Sequence, residues 1–262
     1  MNTLNDIYIN GVAKLIALHF GLEGNAQLTL IGALMLVVMA CAYMLGSINP
    51  AVIISKRRYG TDIRTLGSGN AGSTNMLRNF GKGAAALTFA GDIFKCVVSV
   101  MLGRLLLGET GAYLAGLFCI VGHVLPCWYG FKGGKGVASA AAMILAVDPM
   151  VFLVLVVIFA IVLLIWRYVS LASIIAAFIY PAVVYIRYEI VGSVPNPFLM
   201  ICTVTVAFII IFMHRENLKR LYRGRERKIS VGKKNKLSPE EFEAQAKKRY
   251  DDDEYVDYDE KQ

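Results

Sequence analysis

The feature that most narrows what this chain can fold into is a succession of apolar runs, each near the length of about 20 residues that a helix needs to cross a bilayer. They lie at Thr29–Ile54, Ala84–Leu107, Ala112–Trp128, Val137–Val147, Met150–Trp166, Leu171–Ile186 and Phe198–Met213. With 56% hydrophobic residues, only 18% charged and a mean hydropathy of +0.56, the composition excludes an ordinary soluble domain. The expected class is an all-α polytopic membrane protein with seven transmembrane helices.

Val137–Val147 is short for a span, yet it decides the parity of the topology. The basic connector Lys56–Lys82 and the basic stretch that begins at Arg215 fall on one side only if an even number of spans separates them. Counting the short helix gives that even number. The same count puts Phe131–Lys135 and Arg167 on this side, and Asp148-Pro149 and Gly192–Pro197 on the other. The positive-inside rule makes the first side cytoplasmic, with the N-terminus outside and the C-terminus inside at the plasma membrane. Arg104 and Arg187 fall near the outer face and weaken the asymmetry without reversing it.

Three divisions follow. Residues 1–28 form an N-terminal extension whose apolar Ile7–Phe20 stretch suits an interfacial helix, residues 29–228 the seven-helix membrane domain, and residues 229–262 a charged, disordered cytoplasmic tail. The net charge of +8 sits in clusters between apolar runs, so it reports topology and not a nucleic-acid partner. Cys41, Cys96, Cys119, Cys127 and Cys202 form no CxxC pair and have no His at ligand spacing, and they read as small core residues. No cleavable signal segment and no internal repeat is evident.

Three segments on the basic side carry chemistry. In Gly67-Ser68-Gly69-Asn70-Ala71-Gly72-Ser73-Thr74-Asn75 the glycines permit positive-φ turns with consecutive N–H groups, and Arg78 adds a planar fork. A phosphate cradle and a flexible linker are both open readings there. The second segment, Gly122-His123 through Phe131-Lys132-Gly133-Gly134-Lys135-Gly136, offers no register that satisfies a nucleotide-binding P-loop, because Gly136 follows Lys135. What remains is a basic glycine turn suited to an anion, or an ordinary positive-inside anchor. In the third, His214 and Asn217 stand three apart on a continuing helix and share a face, a spacing that a basic anchor does not explain. Ser170, after Arg167, belongs to the same side, while Asp92 and Lys95 in the second span read as a pair.

At these residues the sequence resembles the bacterial acyl-phosphate:glycerol-3-phosphate acyltransferases of the PlsY type. The likeness runs from about Tyr43 to Arg227 and includes Gly46-Ser47-Ile48, Asp62-Ile63-Arg64, Gly67–Arg78, Gly122–Ala138, Arg167–Ser173 and His214–Glu226. Asn49-Pro50, Ser73 and Ser139 depart from the usual pattern, and the N-terminal extension and acidic tail have no counterpart in it. The resemblance implies seven spans, an active site open to the cytoplasm, and transfer of a fatty acyl group from acyl phosphate to the 1-hydroxyl of glycerol 3-phosphate. Lysophosphatidate and inorganic phosphate are the implied products, as a step of phospholipid synthesis.

Carried over by position, His214, Ser68 and Asn217 are the expected catalytic residues. Arg78, Lys135, Ser170, Gly67, Gly69, Asn70 and Gly72 are expected to bind substrate phosphate. No metal or cofactor is implied; the expected partners are the two substrates, the bilayer and an unidentified soluble enzyme that supplies the acyl donor. No acid–base pair or triad stands at recognisable spacing. His214 is then either the base or a donor to phosphate, and the resemblance favours the second, with the glycerol phosphate taking its own proton. A transporter for phosphate-bearing metabolites is the competing reading, disfavoured because the motifs gather at one face and no paired interrupted helices appear in two halves.

Overall fold

In the computed structural model, residues 3–194 and 196–229 are described; the charged tail expected from residue 230 onward lies outside them. The described chain is helical: α1 (Thr3–His19), α2 (Gly24–Ser47), α3 (Pro50–Tyr59), α4 (Ser73–Phe80), α5 (Lys82–Val124), α6 (Val137–Val147), α7 (Pro149–Trp166), α8 (Val169–Ile190), α9 (Pro197–Met213) and α10 (Arg215–Tyr222). Four helices are long and apolar enough to cross a membrane, or five when the bent α9–α10 pair counts as one span. This is a multi-pass membrane protein. The described residues fall into two compact units, one within Met1–Asn49 and Ala90–Ser230, the other within Pro50–Phe89.

In the larger unit, α5 is two helices joined by a sharp break. Leu107 and Gly108 leave the helical region, Gly108 at φ 61°, so the two runs expected at Ala84–Leu107 and Ala112–Trp128 turn against each other. Gly103 and Gly111 make the close approach possible, since a Cβ on either would run into the other's backbone carbonyl. The first expected run, Thr29–Ile54, differs from the structure at both ends. Its helix begins at Gly24 and stops at Ser47, before Pro50 starts α3.

Capping sets where the next helices begin. Asp148 accepts from Met150 N at 2.9 Å and Val151 N at 3.1 Å, and Asn196 accepts from Phe198 N at 2.9 Å, each followed by proline at the first helical position. α6, α7, α8 and α9 then pack in sequence around Met143, Val151, Leu155, Tyr180, Val184 and Val206. Their outward faces are equally apolar: Leu164 is 80% exposed and Phe178 73%. A helix apolar on all sides is stable with lipid on its outer face. Buried hydroxyls satisfy themselves on their own helices, Ser173 donating to Val169 O at 2.9 Å and Ser99 to Lys95 O at 2.8 Å.

In α1, Gly11 has φ 72° and interrupts the helix. Ala13 and Ala17 are buried, so this extension packs part of its length into the protein.

Candidate active site

The smaller unit holds the glycine loop. Asp62 starts a short turn by accepting from Arg64 N at 3.0 Å, Nε at 3.0 Å and Nη2 at 2.8 Å, with Lys56 Nζ at 3.2 Å. The Arg64 hydrogen bond, set against a cost of burial, holds its carboxyl down at about 2. The loop itself is organised by Asn75, which is buried at the start of α4. Its Nδ2 donates to Ile63 O, Leu66 O and Asn70 O at 3.1, 2.9 and 3.0 Å, and its Oδ1 accepts from Ser68 N at 3.2 Å. Gly67 at φ 58° and Gly69 at φ 68° allow the chain to fold back over that carboxamide. Ser68 and Arg78 are exposed, while Asn70 and Gly72 are half-buried. The loop is thus a held turn and not a loose linker.

The larger unit holds a second group, assembled from three helix ends. The turn before α6 is fixed by Gly133 N donating to Val124 O at 3.2 Å and Gly134 N to His123 O at 3.1 Å. No Cβ fits at Gly133, where it would meet His123 O. Lys135 follows at once, and its ammonium donates to Asn217 Oδ1. Asn217 Nδ2 donates to Glu226 Oε1 at 2.7 Å, Ser170 Oγ donates to the same oxygen at 2.8 Å, and Arg220 Nε donates to Oε2 at 2.8 Å. Burial alone would raise the Glu226 carboxyl; the donors Asn217, Arg220 and Ser170 outweigh it and hold the group below the usual carboxylate range.

His214 and Asn217 do not lie on one continuing helix as expected. The chain bends by 53° between α9 and α10, and His214 sits in the bend. Both side chains are nonetheless buried, His214 at 3% exposure and Asn217 at 6%. His214 Nδ1 lies 2.7 Å from Ile210 O, an acceptor, so Nδ1 carries the proton and a neutral ring keeps its lone pair on Nε2. Burial pushes the imidazole down to about 4, with the cations Lys135 and Arg220 adding to the effect. At neutral pH the ring is uncharged, with Nε2 a hydrogen-bond acceptor and a weak base.

Lys135, Ser170 and Asn217 are therefore joined through Asn217 and Glu226, with His214 three residues before Asn217. Gly67, Ser68, Gly69, Asn70, Gly72 and Arg78 form the other group. Two organisers were not among the expected site residues, Asn75 and Glu226. The available signal for Glu226 was a lone acid in the basic run Arg223–Lys228. Ser170 is the second residue of α8 and not its cap; its single O–H is committed to Glu226. Among the described residues, no His, Cys, Asp and Glu group is arranged to hold a metal ion.

The glycerol-3-phosphate acyltransferase family matches residues 36–224 of the chain. A glycerol-3-phosphate acyltransferase of Clostridioides difficile (strain 630) is 39% identical over 204 residues, which is 76% of this chain and 97% of the relative. One of Staphylococcus aureus (strain JH9) is 37% identical over 207 residues, 75% and 98% of the two chains. The crystal structure of PlsY (YgiH), an integral membrane glycerol 3-phosphate acyltransferase, in its glycerol 3-phosphate form superposes with a TM-score of 0.68 at 35% identity, covering 75% of this chain and 96% of that one. Its lysophosphatidic acid form gives 0.66 at 33% identity.

Proposed function

The chain belongs to the glycerol-3-phosphate acyltransferase family, and from that premise we propose that it transfers a fatty acyl group from acyl phosphate to the 1-hydroxyl of glycerol 3-phosphate. Lysophosphatidate and inorganic phosphate leave as products. The observation that carries the reading is the group around Asn217: donors from the start of α8 and from α10 converge on an anion, the Glu226 carboxylate, beside the Lys135 ammonium from the turn before α6. A site that already gathers donors around one anion is chemically suited to a phosphate.

In this reading Lys135 and Asn217 bind and neutralise phosphate, and Ser170 joins them by exchanging its hydroxyl from Glu226. Ser68 and Arg78, on the loop that Asn75 holds, supply further phosphate donors, with Gly67, Gly69, Asn70 and Gly72 giving the backbone its shape. Holding the hydroxyl against the acyl carbonyl supplies most of the rate, because phosphate is already a good leaving group. The new bond joins the glycerol oxygen to the acyl carbon; the acyl–phosphate C–O bond breaks, and its electron pair leaves on phosphate. The hydroxyl proton goes to His214 Nε2 or to the substrate's own phosphate. With Nδ1 donating to Ile210 O, Nε2 is left to accept the proton, but the burial that lowers the imidazole to about 4 makes it a weak base and favours the phosphate route.

The finer topology, seven spans with the site facing the cytoplasm, draws support from the break at Leu107–Gly108, which divides α5 into two runs, and from counting α6 as a span. An unidentified soluble enzyme supplies the acyl phosphate. Vesicles carrying purified protein, given labelled glycerol 3-phosphate outside, separate this reading from transport. Label recovered in lysophosphatidate only when acyl phosphate is added supports acyl transfer. Unchanged glycerol 3-phosphate accumulating inside, with or without the donor, would establish transport instead.

A further inference from the structure

We propose that the buried trio Asp92, Lys95 and His123 is a positioning device for Lys135, an inference that rests on the phosphate-binding role given to Lys135 above. The three are 2%, 5% and 3% exposed, deep enough that an unpaired charge among them would be strongly unfavourable. Lys95 Nζ donates to Gly46 O at 2.9 Å and Ile48 O at 2.7 Å, and lies 3.0 Å from Asp92 Oδ1. The two carbonyls use two of its three protons. His123 Nδ1 stands 3.1 Å from the same Asp92 oxygen and 3.0 Å from Lys95 Nζ. Lys95 gives its third proton to His123 Nδ1, which accepts it with the ring neutral, and the Asp92 carboxylate balances the ammonium at ion-pair distance.

A simple ion pair inside one helix would need no such reach. Here Lys95 reaches both the carbonyls at the end of α2 and the ring at the end of α5, and those two ends are already in tight register. Gly46 admits no Cβ against the Cys119 carbonyl, Tyr43 donates to Leu125 O at 2.9 Å, and Cys127 N donates to Ser47 Oγ at 3.4 Å. The fixed end of α5 is what the basic turn is fastened to. His123 O accepts from Gly134 N and Val124 O from Gly133 N, directly before Lys135. Through these bonds the trio sets where the Lys135 backbone emerges, and with it the reach of its ammonium to Asn217.

A double-mutant cycle tests this in the full chain in lipid. His123→Asn puts an amide near the Nδ1 position, where its oxygen can accept from Lys95, whereas His123→Gln puts it near Nε2. His123→Gln should lower kcat/KM for glycerol 3-phosphate about tenfold, as displaced binding groups do, and His123→Asn should recover most of it. With Lys135→Ala already present, His123→Gln should cost less than about twofold more, because the group it positions is gone. Should His123→Gln fail to insert, Asp92→Asn, which keeps volume and one acceptor, takes its place in the same cycle with the same expectation. A full tenfold loss in both backgrounds, or equal damage from Asn and Gln, would reduce the trio to a fold-stabilising element. A Lys135→Ala variant as active as the wild type would instead remove the phosphate reading, and this inference with it.

Discussion

Arg78 and Lys82 are cations four positions apart, both exposed, and charge alone would make them equivalent. The role given to Arg78 depends on its planar fork, which a lysine ammonium cannot reproduce. Arg78→Lys should therefore already impair turnover, and Arg78→Ala should cost about 2–4 kcal/mol in kcat/KM, the range for losing a charge contact in the transition state. Lys82→Ala should leave steady-state kinetics near wild type. Mild and equal effects at both would mean that the connector supplies only topological charge. His214 carries a prediction of a different kind. Its folded pKa of about 4 lies below the 6.5 of a free imidazole, so the unfolded chain binds the extra proton first as pH falls. The neutral-ring contribution is present above 6.5 and is lost on acidification towards 4, by about 2 kcal/mol at pH 5. Thermal midpoints of the detergent-solubilised protein at pH 7 and 5 should fall more for wild type than for His214→Gln, and parallel falls would contradict the burial argument.

At the scale of elements, the glycine loop is shaped by a side chain from the helix that follows it. Gly67 and Gly81 both have positive φ, 58° and 84°, and alanine is strained at either by about 1–3 kcal/mol. They differ in what surrounds them. A Cβ at Gly81 meets nothing within 4 Å, whereas one at Gly67 collides with Asn75 Oδ1 and with Asn79 Nδ2 at 2.8 Å. Gly67→Ala should accordingly disturb the Asn75 contacts to Ser68, Leu66 and Asn70 and raise KM for a phosphate substrate, while Gly81→Ala keeps KM near wild type. Equal KM values for the two variants would show that the Asn75 lattice is irrelevant to binding. The bend at His214 makes the related point for α9 and α10: helical spacing expected His214 and Asn217 on one face of a continuing helix, but the helix breaks by 53° at His214, and both side chains are buried.

Across the whole molecule, what could be read early was whatever depends on local composition. Apolar runs marked the helices, and the runs expected from Met150 and Phe198 begin one residue earlier, at Pro149 and Pro197, where Asp148 and Asn196 cap them. The stop of α2 at Ser47 was hidden because Ile48 to Ile54 stays apolar through Asn49-Pro50. Residues whose importance comes from distant partners were also hidden: Glu226 meets Ser170 across 56 positions and Lys135 meets Asn217 across 82, separations that no local spacing reveals. The proposed topology can be checked with single cysteines in a Cys-free variant at Lys132, Lys219 and Ser193, all exposed. Lys132 and Lys219 should label from one side and Ser193 from the other; opposite sides for the first two would separate Lys135 from Asn217 and break the account of the site.

The most direct measurement is product stoichiometry with purified protein in lipid vesicles, supplied with acyl phosphate and glycerol 3-phosphate in the presence of a metal chelator and without ATP. The account predicts lysophosphatidate and inorganic phosphate appearing in equal amounts, with neither formed at a comparable rate when glycerol 3-phosphate is withheld. Product that requires acyl-CoA as donor, or that stops when divalent metal is chelated, would contradict it.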